Sequence, residues 1–277
     1  MILNFLSSKK NIALIVVTLL ILFVIIFIMF TPLSCKIISN NENRNAKNNT
    51  TTKGDNINRD DVLIVGCDAN YPPFEFSENG DTVGFDIDII KEITGRMGKE
   101  IEIAPILWDC KFKEIEEEKL DMEISAVPIT EEYKNIVDFS NPYFTLEYLL
   151  ISLSEAEIKI KEDLGGKAVG ILEIEKGDLS EDCLLNYEIC TYDDIIEMFN
   201  DLQNKKIEAV LISLPQGVNK LKDNEEMYIV LEKIKSNKEF GIVFKKGSML
   251  KEKVDRVLED IKEDGTYDEI YNKWFEL

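Results

Sequence analysis

Histidine is absent from the 277 residues, and arginine occurs only four times, as Arg44, Arg59, Arg96 and Arg256. Without imidazole, acid–base chemistry would fall to carboxylates, and a zinc site built on imidazole is excluded. A Gly-x-x-x-x-Gly-Lys phosphate-binding loop is also missing, so we expect any ATP hydrolysis to come from another chain. Bases are fewer than acids, 32 against 53, and the net charge of −21 disfavours nucleic acids as partners.

The first 35 residues predict attachment to a membrane. Residues 12–30 form a nearly unbroken apolar run that follows Lys9 and Lys10. Such a run is long enough to cross a bilayer, and the preceding lysines would keep the N-terminus inside, so the remainder is exported. Ser34-Cys35 resembles the processing site of a bacterial lipoprotein. We favour lipidation of Cys35, with an uncleaved anchor as the alternative; both place the protein at the extracytoplasmic face of the cell membrane.

Residues 36–60 are rich in Asn, Thr and Lys and contain almost nothing apolar. Such a segment cannot bury enough surface to offset the entropy of ordering, so we predict a flexible linker. The folded part therefore begins near residue 61.

Alternating apolar strands and amphipathic helices follow. Residues 62–66 predict a strand, Asn79-Gly80 a hairpin, and Asp86 the cap of a helix that ends at Gly98. Further strands are predicted at 99–106, 120–127, 149–153, 167–172, 208–212 and 240–244. Thr130 and either Asp193 or Asp194 are predicted helix caps, and 250–261 is a predicted amphipathic helix before a closing helix.

Cysteine usage fits an exported domain. Setting Cys35 aside leaves an even number, four, and the positions of these cysteines suggest pairing Cys67 with Cys110 and Cys183 with Cys190. Four buried thiols are the alternative.

Two motifs carry a family resemblance. DANYPPFEF at 68–76 followed by VGFDIDI, together with VDFSNPY at 137–143, resembles the family-3 extracellular solute-binding proteins, which capture ligands for polar amino-acid ABC importers. The resemblance covers roughly residues 61–277. It implies an α/β fold of the type II periplasmic-binding-protein kind, with two mixed α/β lobes, a hinge and an interlobe cleft. It also implies a discontinuous first lobe (61–152 plus 238–277) and a second lobe (153–237).

The same resemblance implies the binding residues. Aromatic walls, an acid of the first loop and the segment before the third-strand helix match positions that hold ligands in the family. The expected ligand-binding set is Asp68, Tyr71, Phe74, Trp108, Ala126, Thr130, Tyr133, Lys176 and Ser213. Tyr71 and Phe74 have the alternative role of capping a core.

The sequence departs from the family where an α-amino acid would be held. Tyr133 stands where the resemblance implies an arginine for the carboxylate, and Ser213 where it implies an acid for the ammonium. A Gly-Thr-Thr-like turn is replaced by residues 173–176. Losing both charged partners would weaken binding of an amino acid by roughly 3–6 kcal/mol. Lys176 with Glu173 or Glu175 is an alternative clamp from the opposite lobe.

We therefore expect a monomeric solute-binding protein that delivers a small polar solute, amino-acid-like or a derivative, to an ABC permease. A binding fold that serves as a sensory or interaction module, without amino-acid binding, is the alternative. An enzyme is least expected, because no paired carboxylates are evident in the sequence. Neither a cofactor nor a metal is expected.

Overall fold

A computed structural model describes residues 61–222, 224 and 226–276. Its strands, in chain order, are β1 (Val62–Cys67), β2 (Asn70–Tyr71), β3 (Glu75–Glu78), β4 (Asp81–Val83), β5 (Glu100–Pro105), β6 (Met122–Glu123), β7 (Asp138–Phe139), β8 (Phe144–Leu153), β9 (Ala168–Leu172), β10 (Glu188–Tyr192), β11 (Ala209–Ser213), β12 (Tyr228–Phe240) and β13 (Val243–Phe244). The expected anchor (1–35), with Cys35, and the linker (36–60) lie outside the described residues.

The α-helices alternate with these strands. They are α1 (Phe85–Arg96), α2 (Lys113–Glu116), α3 (Glu131–Lys134), α4 (Glu181–Leu184), α5 (Ile195–Gln203), α6 (Leu214–Lys222), α7 (Leu250–Glu263) and α8 (Thr266–Phe275). Short 3-10 helices span Trp108–Cys110, Lys161–Leu164 and Glu173–Asp178. Within the described residues, none of the helices combines the length and apolar character needed to cross a membrane.

The first sheet has the strand order β5-β1-β6-β13-β7. β1 pairs in parallel with β5 and β6, so the carboxyl ends of these strands meet at one edge. β13 pairs antiparallel with β6 and β7, although it follows every strand of the second sheet in sequence. The chain therefore leaves the first sheet and returns to it, which places the loops after β1, β5 and β6 at a common rim.

The second sheet has the order β10-β9-β11-β8-β12. β9 is parallel to β10 and β11, whereas β8 is antiparallel to β11 and β12. β8 and β12 are the longest strands, with 10 and 13 residues, and their pairing ends at Phe144 opposite Phe240. Just beyond this end, the same two stretches of chain belong to the first sheet, where Val243 of β13 pairs with Phe139 of β7.

A small antiparallel sheet, β2-β3-β4, follows β1. Its predicted hairpin turn is confirmed, with φ of 54° at Asn79 and 93° at Gly80. Gly84 has φ 136°, and a Cβ there would lie 2.1 Å from Phe74 O, so only glycine allows this approach. The approach lets Phe85 N–H donate to Pro73 O (2.9 Å) at the start of α1.

Most of the predicted elements are confirmed, with boundaries shifted by a few residues. Thr130 caps α3 through Tyr133 N–H, and Asp194 rather than Asp193 caps α5. The prediction that Asp86 caps α1 is wrong: the helix begins after Gly84, and the Asp86 carboxylate accepts from Ala126 N–H in the core (2.8 Å). The predicted strand 120–127 shortens to β6.

The predicted disulfides are wrong, since Cys67, Cys183 and Cys190 are free thiols. Cys67 is fully buried at the end of β1 in the first sheet and carries a free thiol, so it is not bonded to Cys110. Cys183 lies on α4 with its Sγ 3.1 Å from Ser180 Oγ, whereas Cys190 lies within β10. The seven-residue spacing of Cys183 and Cys190 therefore does not correspond to a disulfide.

Candidate functional site

The loop after β1 is fixed by hydrogen bonds at the rim of the first sheet. Asp68 N–H donates to Ser125 Oγ (3.1 Å), which ties the loop to the segment after β6. Asn70 Nδ2 donates back to Asp68 O (2.9 Å), and Ala69 takes the left-handed conformation between them (φ 56°). This turn directs Tyr71 outward from the rim.

Tyr71 rests on an aromatic core. Its ring stacks on Phe74 with 5.3 Å between centroids and 20° between planes. Phe74 is fully buried and packs edge-on against Phe144 (4.8 Å) and Phe240 (5.5 Å). The alternative that Phe74 belongs to the core is therefore the one the structure supports, and Phe74 acts by holding Tyr71.

The second aromatic wall is Trp108, on the 3-10 helix that follows β5. Its side chain is 38% exposed. Lys111 Nζ lies 4.5 Å from the indole centroid and donates to Trp108 O (3.4 Å). Trp108 is thus held by a cation–π contact as well as by the backbone.

A cavity of about 430 Å³ lies between these rings, of a size that suits a small solute. Polar and aromatic side chains from the rim of the first sheet and the end of β12 form its wall. The lining residues are Asp68, Asn70, Tyr71, Glu75, Trp108, Ser125, Ala126, Pro128, Lys238 and Phe240. The structure thus brings together four of the expected residues, Asp68, Tyr71, Trp108 and Ala126.

Two buried carboxyl groups lie behind the cavity. Ser125 Oγ donates to Glu75 Oε1 (2.7 Å), and Tyr143 Oη donates to Asp86 Oδ2 (2.9 Å). Glu75 Oε2 and Asp86 Oδ1 have no other partner among the described residues. Burial, followed by the charge of Asp86, raises the pKa of Glu75 well above its usual range, while burial also raises the pKa of Asp86. Burial and the like charges of the two groups therefore both favour protonation of this pair, most strongly at Glu75.

A second group of polar residues faces Tyr71 from the side of the second sheet. Asp178 Oδ2 accepts from Tyr148 Oη and from Lys238 Nζ, each at 2.9 Å. Glu175 lies on the same 3-10 helix. Burial raises the pKa of Tyr71 to about 12, and the charge of Glu175 is the next cause, ahead of Glu75 and Asp178. Asp178 thus contacts the cavity wall through Lys238, and the charges of both acids help to raise the pKa of Tyr71.

Glu175 is only 7% exposed, and its Oε2 has no hydrogen-bond partner among the described residues. Burial raises the pKa of Glu175, and the hydroxyl and amide of the neighbouring Ser213 oppose part of that rise. Ser213 itself is buried at the end of β11, with no hydrogen bond of ordinary geometry to its Oγ in the described part of the chain. A buried carboxylate is thus present where the sequence suggested only a hydroxyl.

Three other expected residues lie outside the cavity wall. Thr130 is occupied as the cap of α3. Tyr133 packs its ring edge-on against Phe112, with 5.0 Å between centroids. Lys176 is exposed on the 3-10 helix that carries Glu175. The alternative clamp therefore has its acid buried, while its lysine faces solvent.

Sequence reasoning missed several wall residues. Lys238 and Phe240 end β12, whose charged sequence (LEKIKSNKEF) carries little strand signal. Ser125 was overlooked because its function depends on partners 57 and 50 residues away, at Asp68 and Glu75. Glu75 and Asp86 are acidic residues of the DANYPPFEF and VGFDIDI motifs, and this was the available sequence signal for the two buried carboxyl groups.

A larger cavity of about 670 Å³ lies on the second sheet, between the ends of β12 and α4. Its wall includes Lys161, whose Nζ is already paired with Glu232. It has a single aromatic side chain, Tyr187, and no buried unpartnered group among the described residues. We therefore assign the functional site to the smaller cavity beside Tyr71 and Trp108.

Comparison with known proteins identifies the family of the chain. The profile of the bacterial extracellular solute-binding proteins, family 3, matches residues 63–277. L-cystine-binding protein TcyJ of Escherichia coli (strain K12) is 28% identical over 219 residues, covering 77% of this chain and 82% of TcyJ. Arginine-binding extracellular protein ArtP of Bacillus subtilis is 28% identical over 222 residues, covering 77% and 86%. Substrate binding domain 2 of Lactococcus lactis GlnP, solved in an open conformation, superposes with a TM-score of 0.67 at 25% identity, covering 82% and 98%.

Proposed function

Because this chain belongs to the bacterial extracellular solute-binding proteins of family 3, we propose that it captures a small amino-acid-like solute and delivers it to an ABC importer. The expected two-lobed type II periplasmic-binding-protein fold is confirmed by its α/β sheets of mixed orientation and by its structural neighbours. The cavity between Tyr71 and Trp108 is the observation that carries the proposal. In this function the chain binds and releases its solute without chemical change.

Capture would follow closure of the cleft. β8 and β12 are the connections between the two sheets, so they are the proposed hinge, and the lobes are proposed at 61–152 plus 238–277 and 153–237. Lys238 and Phe240 of β12 lie in the cavity wall, which would couple solute contact to movement of this strand. The ligand-binding roles of Asp68, Tyr71, Trp108 and Ala126 belong to the same proposal.

Tethering is a further part of the proposal. The apolar run at 12–30 and Cys35 support attachment to the outer face of the cell membrane, as a lipoprotein or through the N-terminal segment. The linker at 36–60 would let the binding domain reach a permease in the same membrane.

Tryptophan fluorescence tests the capture proposal sharply, because the chain has two tryptophans. Trp108 lines the cavity, whereas Trp274 is not among the lining residues and donates from Nε1 to Asp88 of α1 (2.8 Å). We expect a panel of amino acids, amines, organic acids and peptides to include a solute that changes the emission of the detergent-solubilised full chain. The change should vanish in Trp108→Phe and persist in Trp274→Phe.

Thermal unfolding gives an independent measurement in the same panel. A solute at 100 times its Kd stabilises the folded state by about 2.7 kcal/mol, which predicts a rise in Tm of roughly 5 °C or more. If no solute at millimolar concentration changes either signal, the chain is not a capture protein, and the alternative of an interaction module gains. Tyr133, which packs on Phe112 outside the cavity, is the observation that favours that alternative.

A further inference from the structure

The cavity is poorly equipped to hold a carboxylate. Among the described residues that line it, Lys238 alone carries a full positive charge. Its Nζ is already bound to Asp178 Oδ2 at 2.9 Å, so that charge is neutralised within the protein. A ligand carboxylate at Lys238 would also lie close to the carboxylate of Asp178, and the repulsion between the two negative charges would weaken binding.

Nearby cations do not change this account. Lys111 is outside the cavity wall and lies over the Trp108 indole. The two arginines in the described part of the chain are engaged elsewhere: Arg96 binds Asp264 (2.6 Å), and Arg256 lies 4.0 Å from Glu252. The wall residue Pro128 has neither an N–H group nor a hydroxyl to donate.

The same space is well equipped to hold a cation. Glu175 is more than nine-tenths buried, and its Oε2 lacks a partner among the described residues. It is not itself a lining residue but lies on the 3-10 helix whose Asp178 binds the wall residue Lys238 at 2.9 Å, and its charge helps to raise the pKa of the wall residue Tyr71. A buried carboxylate without a partner is unfavourable, and a bound cation would supply the missing charge-assisted hydrogen bond. Tyr71 and Trp108 add aromatic faces, which attract organic cations.

We propose that the solute is an organic cation without a carboxylate, a primary amine or a guanidine on a short stem. Its charged head contacts Glu175, and its stem lies between Tyr71 and Trp108. This inference rests on the proposed function, because it names the class of solute that the capture site takes. The volume of about 430 Å³ suits a molecule of this size.

Matched pairs of ligands test the proposal, since each pair differs by one carboxylate. Agmatine and arginine, cadaverine and lysine, and phenethylamine and phenylalanine are titrated calorimetrically into the full chain at pH 7.5. The expected result is at least tenfold tighter binding of the amine in one pair or more. If the amino acids bind as tightly as their amines or more tightly, the inference is overturned and the capture function stands. If neither these ligands nor any other solute class binds, the capture function itself fails.

A charge-removing variant tests the assigned contact. Glu175→Gln keeps the shape of the side chain and should weaken binding of the amine about 10- to 100-fold, as expected for a lost charge-assisted hydrogen bond. It should also bring the affinities of the amine and its amino acid closer together, which a merely structural change would not do. Glu173→Gln, on the exposed side of the same 3-10 helix, is the matched control and should bind normally. Equal affinity in Glu175→Gln and the unaltered chain would overturn the assignment, with far-UV circular dichroism checking that each variant is folded.

Discussion

The two sides of the cavity use carboxyl groups in opposite ways. On the side of the first sheet, one oxygen of Glu75 accepts from Ser125 and one oxygen of Asp86 accepts from Ala126 and Tyr143, while their other oxygens lack partners among the described residues. On the side of the second sheet, Glu175 has an unpartnered oxygen, and Asp178 holds the half-buried Lys238. The first pair of carboxyl groups is thus anchored by hydrogen bonds within the fold, whereas we expect Glu175 to gain its partner from a bound solute.

This difference separates stability from specificity. Hydrogen bonds to buried carboxyl groups rigidify the structure beneath Tyr71, so removing these bonds should lower the stability of the fold. A buried carboxylate without a partner is unfavourable for folding, and it would favour a solute whose positive charge can pair with it. Variants on the two sides should therefore change different measurements.

The largest expected effect is on stability, at Asp86. Asp86→Ala removes the acceptor for Ala126 N–H and Tyr143 Oη in the core. Buried donors without acceptors cost roughly 1–3 kcal/mol each, so the free energy of unfolding should fall by about 3 kcal/mol or more in urea titrations. Asp178→Ala, on the other side, should lower it by less than about 1 kcal/mol, because the ion pair between Asp178 and Lys238 is partly exposed to solvent.

Asp86→Asn is the control for lost volume, since it keeps one carbonyl oxygen for both donors. Its amide can donate towards Glu75 Oε2, which has no partner among the described residues. We expect it to lose less than half as much stability as Asp86→Ala. Equal losses in the alanine variants at Asp86 and Asp178 would contradict the division between the two sides.

The next effect is on the pH dependence of stability, through Glu75. Burial raises its pKa above the ordinary 4.5, so the folded chain keeps a proton that the unfolded chain releases. Stability from this group is therefore complete below about pH 4.5 and is lost as the pH rises through neutrality, by at most about 1.4 kcal/mol per pH unit. Glu75→Gln keeps a neutral side chain at both pH values. Between pH 5.5 and pH 7.5, its free energy of unfolding relative to the unaltered chain should therefore rise by about 1–2 kcal/mol.

Burial of Glu123 and Asp86 raises the pKa of each and gives slopes of the same sign, so the measurement is the difference between variant and unaltered chain. Urea midpoints at the two pH values supply it. Glu78→Gln, exposed on the same strand β3, should leave the pH dependence unchanged. A parallel pH dependence in Glu75→Gln would mean that Glu75 is ionised in the fold.

A smaller effect concerns binding at Tyr71, whose ring stacks on the buried Phe74 and also lines the cavity. Tyr71→Ala removes one aromatic face and should weaken amine binding about 5- to 30-fold in calorimetry, since a cation–π contact contributes roughly 1–2 kcal/mol. Tyr71→Phe keeps the ring and should bind nearly as well as the unaltered chain. Loss of binding in Tyr71→Phe would instead assign the contact to the hydroxyl.

Residues on the first-sheet side of the cavity were predicted from the sequence better than those on the second-sheet side, for a physical reason. Asp68, Tyr71 and Trp108 follow strands with strong apolar patterns, and parallel strands bring their carboxyl ends to one rim. Glu175 is one of two glutamates on a six-residue turn, and sequence spacing does not tell which one is buried. Lys238 lies on a strand whose polar sequence conceals its pairing with β8. The sequence left open whether Phe74 lines the cavity or the core, and its packing on Phe144 and Phe240 places it in the core.

The smallest expected effect is on amine binding, at Lys238 on the second-sheet side of the cavity. Lys238→Met removes the one positive charge among the described wall residues and leaves Asp178 with Tyr148 Oη as a partner. If the cavity selects cations, this loss of repulsion should tighten amine binding about three- to fivefold, which corresponds to less than about 1 kcal/mol. Lys176→Met, an exposed lysine on the 3-10 helix of Glu175, controls for a general change in net charge and should have little effect. Weaker amine binding in Lys238→Met would show that Lys238 holds part of the solute, and a ligand bearing a negative group would then fit the cavity better.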